Sequence, residues 1–177
     1  MGTKIAVMSE GNIEQFDTPA NLYYNPANKF VAEFIGSPMM NLFNGYLVQD
    51  GDGPAVQIND QRFPLDESNR ANLKVDPVGQ AIYVGIRPED LHYTDSLSTP
   101  STVQVTAKNV EQVGSDTYVY FDFKACERES VARFNPARPV RIGEQVYIHL
   151  NMEKIMLFDK ETEQSILNRI VGEDFSK

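Results

Sequence analysis

Short segments that alternate between polar and apolar residues, separated by turn residues, are the feature of this sequence that most constrains its fold. Residues 102–113 (TVQVTAKNVEQV) and 117–123 (TYVYFDF) show the alternation most clearly. A strand that alternates in this way buries one face and exposes the other. Gly114, Ser115 and Asp116 lie between the two segments and predict a turn that joins them as a hairpin.

Further segments with strand character follow residue 40, and turn residues separate most of them. They are residues 41–49, 55–60, 61–65, 80–87, 130–134, 145–150 and 154–158. Short strands with turns about every 8–12 residues are typical of small β-barrels. The pattern therefore predicts a mainly β chain with one or two small barrels. Residues 161–170 (ETEQSILNRI) predict a closing helix.

The beginning of the chain differs from the rest and predicts a short hairpin over residues 4–16, followed by two short helices. Thr18 can cap the first helix, and Pro19 suits its first turn. The second helix is predicted over residues 28–35. It carries a strongly apolar stripe formed by Phe30, Val31, Phe34 and Ile35. The sequence does not show what this stripe packs against.

Composition excludes several classes of protein. Among 177 residues there are 25 acidic and 16 basic side chains, and the net charge of −9 at pH 7 opposes nucleic-acid binding. The chain contains no Gly-Lys pair and hence no Walker A phosphate loop. Two distant histidines and the single Cys126 provide no zinc-ligand cluster. We therefore expect no catalytic, cofactor-binding or metal-binding residue here.

The segment VGIRPEDL, residues 84–91, is the polar cluster that stands out. An apolar strand ends at Arg87, Pro88 stiffens the turn, and Glu89 and Asp90 follow. Because arginine pairs well with carboxylates, two interpretations arise. The cluster is either a regulatory site at a barrel rim or an internal brace between the strand end and a neighbouring loop. The residue chemistry favours the brace.

Several separated segments resemble the C-terminal part of ATPase subunits from ABC importers of the maltose type. Residues 4–41 resemble the end of that family's ATPase domain and its junction. GIRPEDL (85–91) resembles the family motif Gly-Ile-Arg-Pro-Glu-His, with Asp90 in place of the histidine. Residues 110–121 resemble a later strand pair, and residues 153–166 resemble the closing strand and tail. The family includes importers of other sugars and of glycerol phosphate, so the substrate stays open.

The resemblance implies a chain that lacks the nucleotide-binding domain with its Walker A, Walker B and ABC signature motifs. It implies two small OB-like antiparallel β-barrel units, called the transport-associated OB domain, with short N-terminal helices. The implied parts are the end of the ATPase domain with the interdomain helices (1–38), the OB-like regulatory β domain (39–170) and a tail (171–177). The stripe of Phe30, Val31, Phe34 and Ile35 then resembles an interdomain helix that packs between the ATPase domain and the barrels.

By the same resemblance we expect a non-catalytic regulatory and dimerisation domain. It pairs with its copy on a second ATPase subunit, contacts the ABC ATPase domain and reaches the membrane permease subunits indirectly. A regulatory protein or a small effector is a further expected partner. ATP and Mg are expected only in the nucleotide-binding domain, and the location is cytoplasmic, peripheral to the inner membrane. The alternative is a small-ligand module for a sugar or an oxyanion, because related OB domains bind such ligands.

Overall fold

The computed structural model describes residues 3–77, 79–97 and 99–168, and this part of the chain is mainly β, as predicted. The strands are β1 (Ile5–Ser9), β2 (Asn12–Asp17), β3 (Asn41–Asp50), β4 (Gly53–Ile58), β5 (Gln61–Pro64), β6 (Gln80–Ile86), β7 (Leu91–Thr94), β8 (Thr102–Val113), β9 (Asp116–Phe121), β10 (Ser130–Phe134), β11 (Gln145–Leu150) and β12 (Met156–Asp159). The helices are α1 (Pro19–Tyr24), α2 (Lys29–Phe34) and α3 (Glu67–Ala71), and a short 3-10 turn covers Pro88–Asp90.

β1 and β2 form the predicted N-terminal hairpin, which is separate from the larger sheets, and α1 and α2 follow it. The Thr18 side chain accepts a hydrogen bond from the Asn21 N–H (3.2 Å), and the Asn28 side chain accepts one from the Val31 N–H (3.0 Å). Both helices therefore begin at capping residues, of which the sequence predicted Thr18 but not Asn28. Each has only six residues, too few for a stable isolated helix, so contacts with the rest of the chain must hold them.

The other strands form two five-stranded antiparallel sheets. The first sheet has the strand order β12-β6-β3-β4-β5, and the second has the order β10-β9-β8-β11-β7. One hydrophobic cluster contains side chains from both sheets, including Ile82 and Val84 from the first and Val119 and Ile148 from the second. The two sheets therefore share a continuous core.

Asn41 at the start of β3 provides a buried polar link between the sheets. Its Nδ2 donates to the carbonyl oxygens of Ile86 (3.1 Å) and Val131 (2.9 Å). Its Oδ1 accepts from the Val131 N–H (2.8 Å). Because a buried amide is costly unless it is hydrogen-bonded, this geometry fixes the first sheet against β10 of the second.

The predicted closing helix over residues 161–170 is wrong in the part that the structure describes. That part contains a turn and three isolated bridges, which pair Gln164 with Asn28, Ser165 with Phe158 and Leu167 with Leu73. The Asp159 carboxylate accepts from the N–H groups of Glu161 (3.1 Å) and Thr162 (2.6 Å). Glu163 then adopts a φ of 58°, which a right-handed helix does not allow. Residues 169 and 170 and the predicted tail at 171–177 lie outside the described residues.

Candidate functional site

Arg87 directly follows β6, where the chain leaves the first sheet. Its main chain is extended, with φ −75° and ψ 152°, and Pro88 begins the 3-10 turn. The Asp90 N–H closes this turn by donating to the Arg87 carbonyl oxygen (3.0 Å). Proline fixes its own φ and favours an extended residue before it. The turn therefore fixes how Arg87 leaves the strand, and only 2% of this residue is exposed.

The Arg87 guanidinium binds the C-terminal ends of both N-terminal helices. Nη1 donates to the carbonyl oxygen of Ile35, the C-cap of α2 (2.8 Å). Nη2 donates to the carbonyl oxygen of Tyr23 in the last turn of α1 (2.6 Å), and the guanidinium carbon lies 3.5 Å from the centroid of the Tyr23 ring. The last carbonyls of a helix lack partners within it, and a cation beside them is favourable. One side chain after β6 thus holds both helices.

The guanidinium is a buried cation. Burial lowers the pKa of the Arg87 guanidinium below its ordinary value, while the Tyr23 ring and the Glu89 and Asp90 carboxylates act in the opposite direction. Arginine nevertheless keeps its proton at neutral pH. The buried Nε has no hydrogen-bond partner among the described residues, and the two terminal nitrogens make the contacts.

Glu89 contacts the same helix through Tyr23, whose hydroxyl donates to Glu89 Oε1. Burial, followed by this hydrogen bond, raises the pKa of Tyr23. The arginine–carboxylate pairing considered from the sequence therefore runs through Tyr23, because its ring contacts Arg87 and its hydroxyl contacts Glu89. The main-chain oxygen of Asp90 accepts from the N–H of Asn151 (3.0 Å), which connects the turn to the segment after β11.

Gly36 allows the guanidinium to approach the end of α2. Its φ is +129°, and a Cβ at this position would lie 2.8 Å from Arg87 Nη1. A side chain here would therefore be strained and would also collide with the guanidinium. The sequence did not indicate that Gly36 or Tyr23 belongs to this cluster. The residues on α1 and at the end of α2 are the part of the site that it missed.

The structure divides the predicted apolar stripe of α2. Val31 is fully buried in a small cluster with Val7 of the hairpin and Leu22 of α1, and Phe30 and Ile35 pack against this cluster. Phe34 is 67% exposed, and its ring stacks on that of Phe30 with the centroids 5.9 Å apart. Most of the stripe therefore packs within this chain, and Phe34 remains at the surface.

The arrangement around Arg87 connects structural elements and has no evident reaction chemistry. Within the described residues, no group of three or more His, Cys, Asp or Glu side chains is placed to hold a metal ion. No helix in the same part of the chain is long and apolar enough to cross a membrane. Arg87 links the end of β6 to both helices in this geometry, and its role as a brace or as a regulatory site stays a prediction.

Two family models match consecutive parts of this chain. The model described as the MalK OB fold domain matches residues 36–91, and the model described as the TOBE domain matches residues 84–158. Together the two models match residues 36–158, so this part of the chain is similar to the MalK OB fold and TOBE domains. The two matches overlap over residues 84–91, the segment that contains Arg87 and its turn.

Relatives of this OB and TOBE region are ABC transporter ATP-binding proteins. An osmoprotective-compound uptake ATP-binding protein of Synechocystis is 33% identical over 94% of this chain and 45% of its own length. An oligosaccharide import protein of Bacillus subtilis is 32% identical over the same shares. A trehalose/maltose import protein of Thermococcus litoralis is 34% identical, again over 94% of this chain and 45% of its own. The chain thus spans slightly less than half the length of these relatives.

A solved structure shows the same type of fold. It is the cytoplasmic molybdate-binding protein ModG with molybdate bound, and it superposes with a TM-score of 0.52 at 13% identity. The match covers 66% of this chain and 94% of ModG. At this identity the comparison supports the OB-like antiparallel fold and nothing further.

Proposed function

We propose that this chain is a non-catalytic regulatory and dimerisation region that works with the ATPase domain of an ABC importer for sugars or related solutes. The observation that carries the proposal is the consecutive match to the MalK OB fold and TOBE models over residues 36–158. Relatives named as ATP-binding proteins extend well beyond the matched region. We assign ATP and Mg binding to an ATPase domain, and not to the OB and TOBE region.

The contacts of Arg87 support a role in coupling. A regulator can bias a distant domain only if its binding energy differs between two arrangements of the protein. Such a difference is transmitted best when the connecting elements are rigidly attached. The hydrogen bonds from Arg87 to Tyr23 and Ile35 attach α1 and α2 to the end of β6. In this proposal, a displacement of the helices is passed directly to the first sheet.

The N-terminal segment offers an apolar surface for the proposed ATPase contact. Met8, Ile13 and Phe16 of the hairpin and Phe34 of α2 are each more than half exposed. Several exposed apolar side chains on one short segment are typical of a surface that another domain covers. We therefore assign this segment to the contact with the ATPase domain, which in turn reaches the permease subunits at the inner membrane.

In this proposal, dimerisation through the β domain keeps two ATPase domains close to each other. Two ATPase domains that each carry this region would stay together between catalytic cycles if the regions remain paired. Their reassociation then becomes intramolecular, with a high effective concentration. A small effector or a regulatory protein that binds the β domain is the second candidate function, and it is compatible with the first.

A chimera tests the proposed function. The matching region of the Bacillus subtilis oligosaccharide import protein is replaced by this chain, and ATP hydrolysis and growth on oligosaccharide are compared with those of a variant lacking the region. We expect the chimera to restore both activities substantially. An abundant, folded chimera that performs no better than the deletion variant contradicts the proposal.

A further inference from the structure

A second polar site lies on the outer side of the first sheet and includes none of the Arg87 contacts. It is a cavity of about 280 Å³ between β3, the β4–β5 turn, the segment at residues 124–125 and Lys160, which directly follows β12. Its lining includes Asn44, Tyr46, Asn59, Ala81, Lys124 and Lys160. The volume is at the lower end of the range for small-molecule sites, which suits a ligand of about the size of one sugar unit.

The strands β3 and β6, together with the main chain at Lys124 and Lys160, define the shape of this cavity. Asn44 and Tyr46 are two residues apart on β3 and therefore point to the same face. Ala81 of β6 lies opposite Tyr46 in the strand register, and its small side chain leaves room above the sheet. The Asn44 N–H donates to the Ala125 carbonyl oxygen (2.7 Å), and the Lys160 N–H donates to that of Ala81 (3.1 Å). These bonds hold the main chain beside Lys124 and at Lys160 against the cavity.

Two lysines give the cavity a positive charge in a chain whose net charge is −9. Among the residues that the structure describes, neither Lys124 nor Lys160 forms an ion pair with a carboxylate. Two acidic residues near them in sequence have other partners. Asp122 pairs with Lys108, and Asp159 accepts hydrogen bonds from Thr162 and Gln80. Lys160 Nζ also lies 5.6 Å from the centroid of the Tyr83 ring, a contact that does not neutralise its charge, so both ammonium groups can bind an anion.

The floor of the cavity has features that suit a hydroxylated ring. Asn44 Nδ2 donates to the Ala125 carbonyl oxygen (3.2 Å), but the buried Asn44 Oδ1 accepts no hydrogen bond. A buried acceptor without a donor is unfavourable, and because this oxygen has almost no exposed surface, the Asn44 side chain must rotate before a ligand hydroxyl can donate to it. The Tyr46 ring is 53% exposed beside it and offers an apolar face to the carbon atoms of a sugar.

We propose that this cavity binds a small phosphorylated sugar as an effector. The phosphate contacts Lys124 and Lys160, a hydroxyl donates to Asn44 Oδ1, and the sugar ring packs on Tyr46. Inorganic phosphate would use only the lysines, and a neutral sugar would use only the Asn44 and Tyr46 side. A phosphorylated sugar uses both parts. The regulatory meaning of the site rests on the proposed function above, whereas the binding itself does not.

Binding to the purified chain tests the site, with glucose 6-phosphate, glucose and inorganic phosphate as probes in calorimetric or NMR titrations. We expect saturable binding of glucose 6-phosphate with a Kd below about 1 mM, and binding of the other two that is weaker by about tenfold or more. The absence of saturable glucose 6-phosphate binding overturns the proposal. Equal affinity for inorganic phosphate, or for glucose, also overturns it.

Surface variants locate the binding. Lys124→Gln, Lys160→Gln and Tyr46→Ala should each weaken glucose 6-phosphate binding about fivefold or more, since each removes one direct contact. Tyr46→Phe keeps the ring and should bind like the original chain. Arg133→Gln is the matched control, because it removes one exposed positive charge from β10 of the second sheet. An equal loss in Arg133→Gln and Lys124→Gln would indicate a general charge effect and overturn the site.

The outcomes separate this inference from the proposed function. All the substituted side chains are exposed, and a thermal melting curve checks that each variant is folded. If the chimera is active while the chain binds no glucose 6-phosphate, the proposed regulatory function is supported and the proposed effector site is contradicted. If the chain binds glucose 6-phosphate through these residues while the chimera is inactive, the effector site is supported and the proposed role in an importer is contradicted.

Discussion

Substitution of Arg87 by alanine is expected to destabilise the protein by about 2–4 kcal/mol, because it breaks two hydrogen bonds from a charged donor. Each such bond contributes about 1.5–3 kcal/mol, and the contact with the Tyr23 ring adds about 1 kcal/mol. The variant also avoids the cost of burying a guanidinium that is only 2% exposed, which offsets part of the loss. The carbonyl oxygens of Tyr23 and Ile35 then lose the donors that they have in the native protein.

Urea denaturation provides the measurement. The chain contains no tryptophan and eight tyrosines, so far-UV circular dichroism and tyrosine fluorescence are the suitable signals. Arg87→Lys should lose an intermediate amount, since an ammonium cannot reproduce the planar fork. Arg128→Ala is the matched control, because the ion pair of Arg128 with Glu33 is exposed on the arginine side and should contribute less than about 1 kcal/mol.

The location of the effect is part of the same prediction. Hydrogen exchange of Arg87→Ala should become faster mainly in α1 and α2, whose carbonyls Arg87 holds, while the strands of the shared core stay protected. A loss of stability below about 0.5 kcal/mol, comparable to that of an ordinary surface substitution, would refute the brace. Faster exchange spread evenly over both sheets would refute the proposed connection to the helices.

Three further predictions follow from the same contacts and from the family. Gly36→Ala should cost about 2 kcal/mol in urea denaturation, because φ is +129° and the added Cβ meets Arg87 Nη1, whereas Gly51→Ala, with open space around it, should be nearly neutral. The raised pKa of Tyr23 stabilises the fold below the ordinary tyrosine value of 10.0, and this contribution disappears as the pH rises through the folded-state pKa. Tyr23→Phe should therefore lose less stability than the original chain between about pH 9 and 11, and equal slopes would contradict the assignment. Light scattering should give twice the 20.0 kDa chain mass, and a strictly monomeric mass at high concentration would argue against dimerisation through the β domain.

Local patterns predicted most of the strands because alternation and turn residues act over a few neighbours. The hairpin turn at Gly114 and the cap at Thr18 are examples in which one residue has a clear structural preference. α3 was not predicted, because its five residues have no apolar periodicity. It depends instead on the Asp66 cap and on buried Asn69, which donates to the distant Met152 carbonyl oxygen (2.7 Å).

The candidate site shows more clearly that local patterns do not predict contacts between residues distant in sequence. The sequence identified Arg87 because a charged residue follows a buried strand and precedes a proline. It did not identify the acceptors, since the Ile35 and Tyr23 carbonyls lie 52 and 64 positions away and main-chain oxygens carry no sequence signal. The helix predicted over residues 161–170 was wrong for a related reason, because bridges to the distant residues Asn28, Leu73 and Phe158 determine the conformation of this segment.

The position of the Arg87 turn explains why a scaffold contact can matter for regulation. The arginine side chain reaches α1 and α2, and the Asp90 main-chain oxygen accepts from Asn151 next to β11 in the second sheet. The N-terminal segment, the first sheet and the second sheet therefore meet at the four consecutive residues 87–90. Two six-residue helices cannot remain ordered without such support. A ligand that shifts this turn must consequently change the energy of the helices, which is the requirement for coupling the β domain to whatever the N-terminal segment contacts.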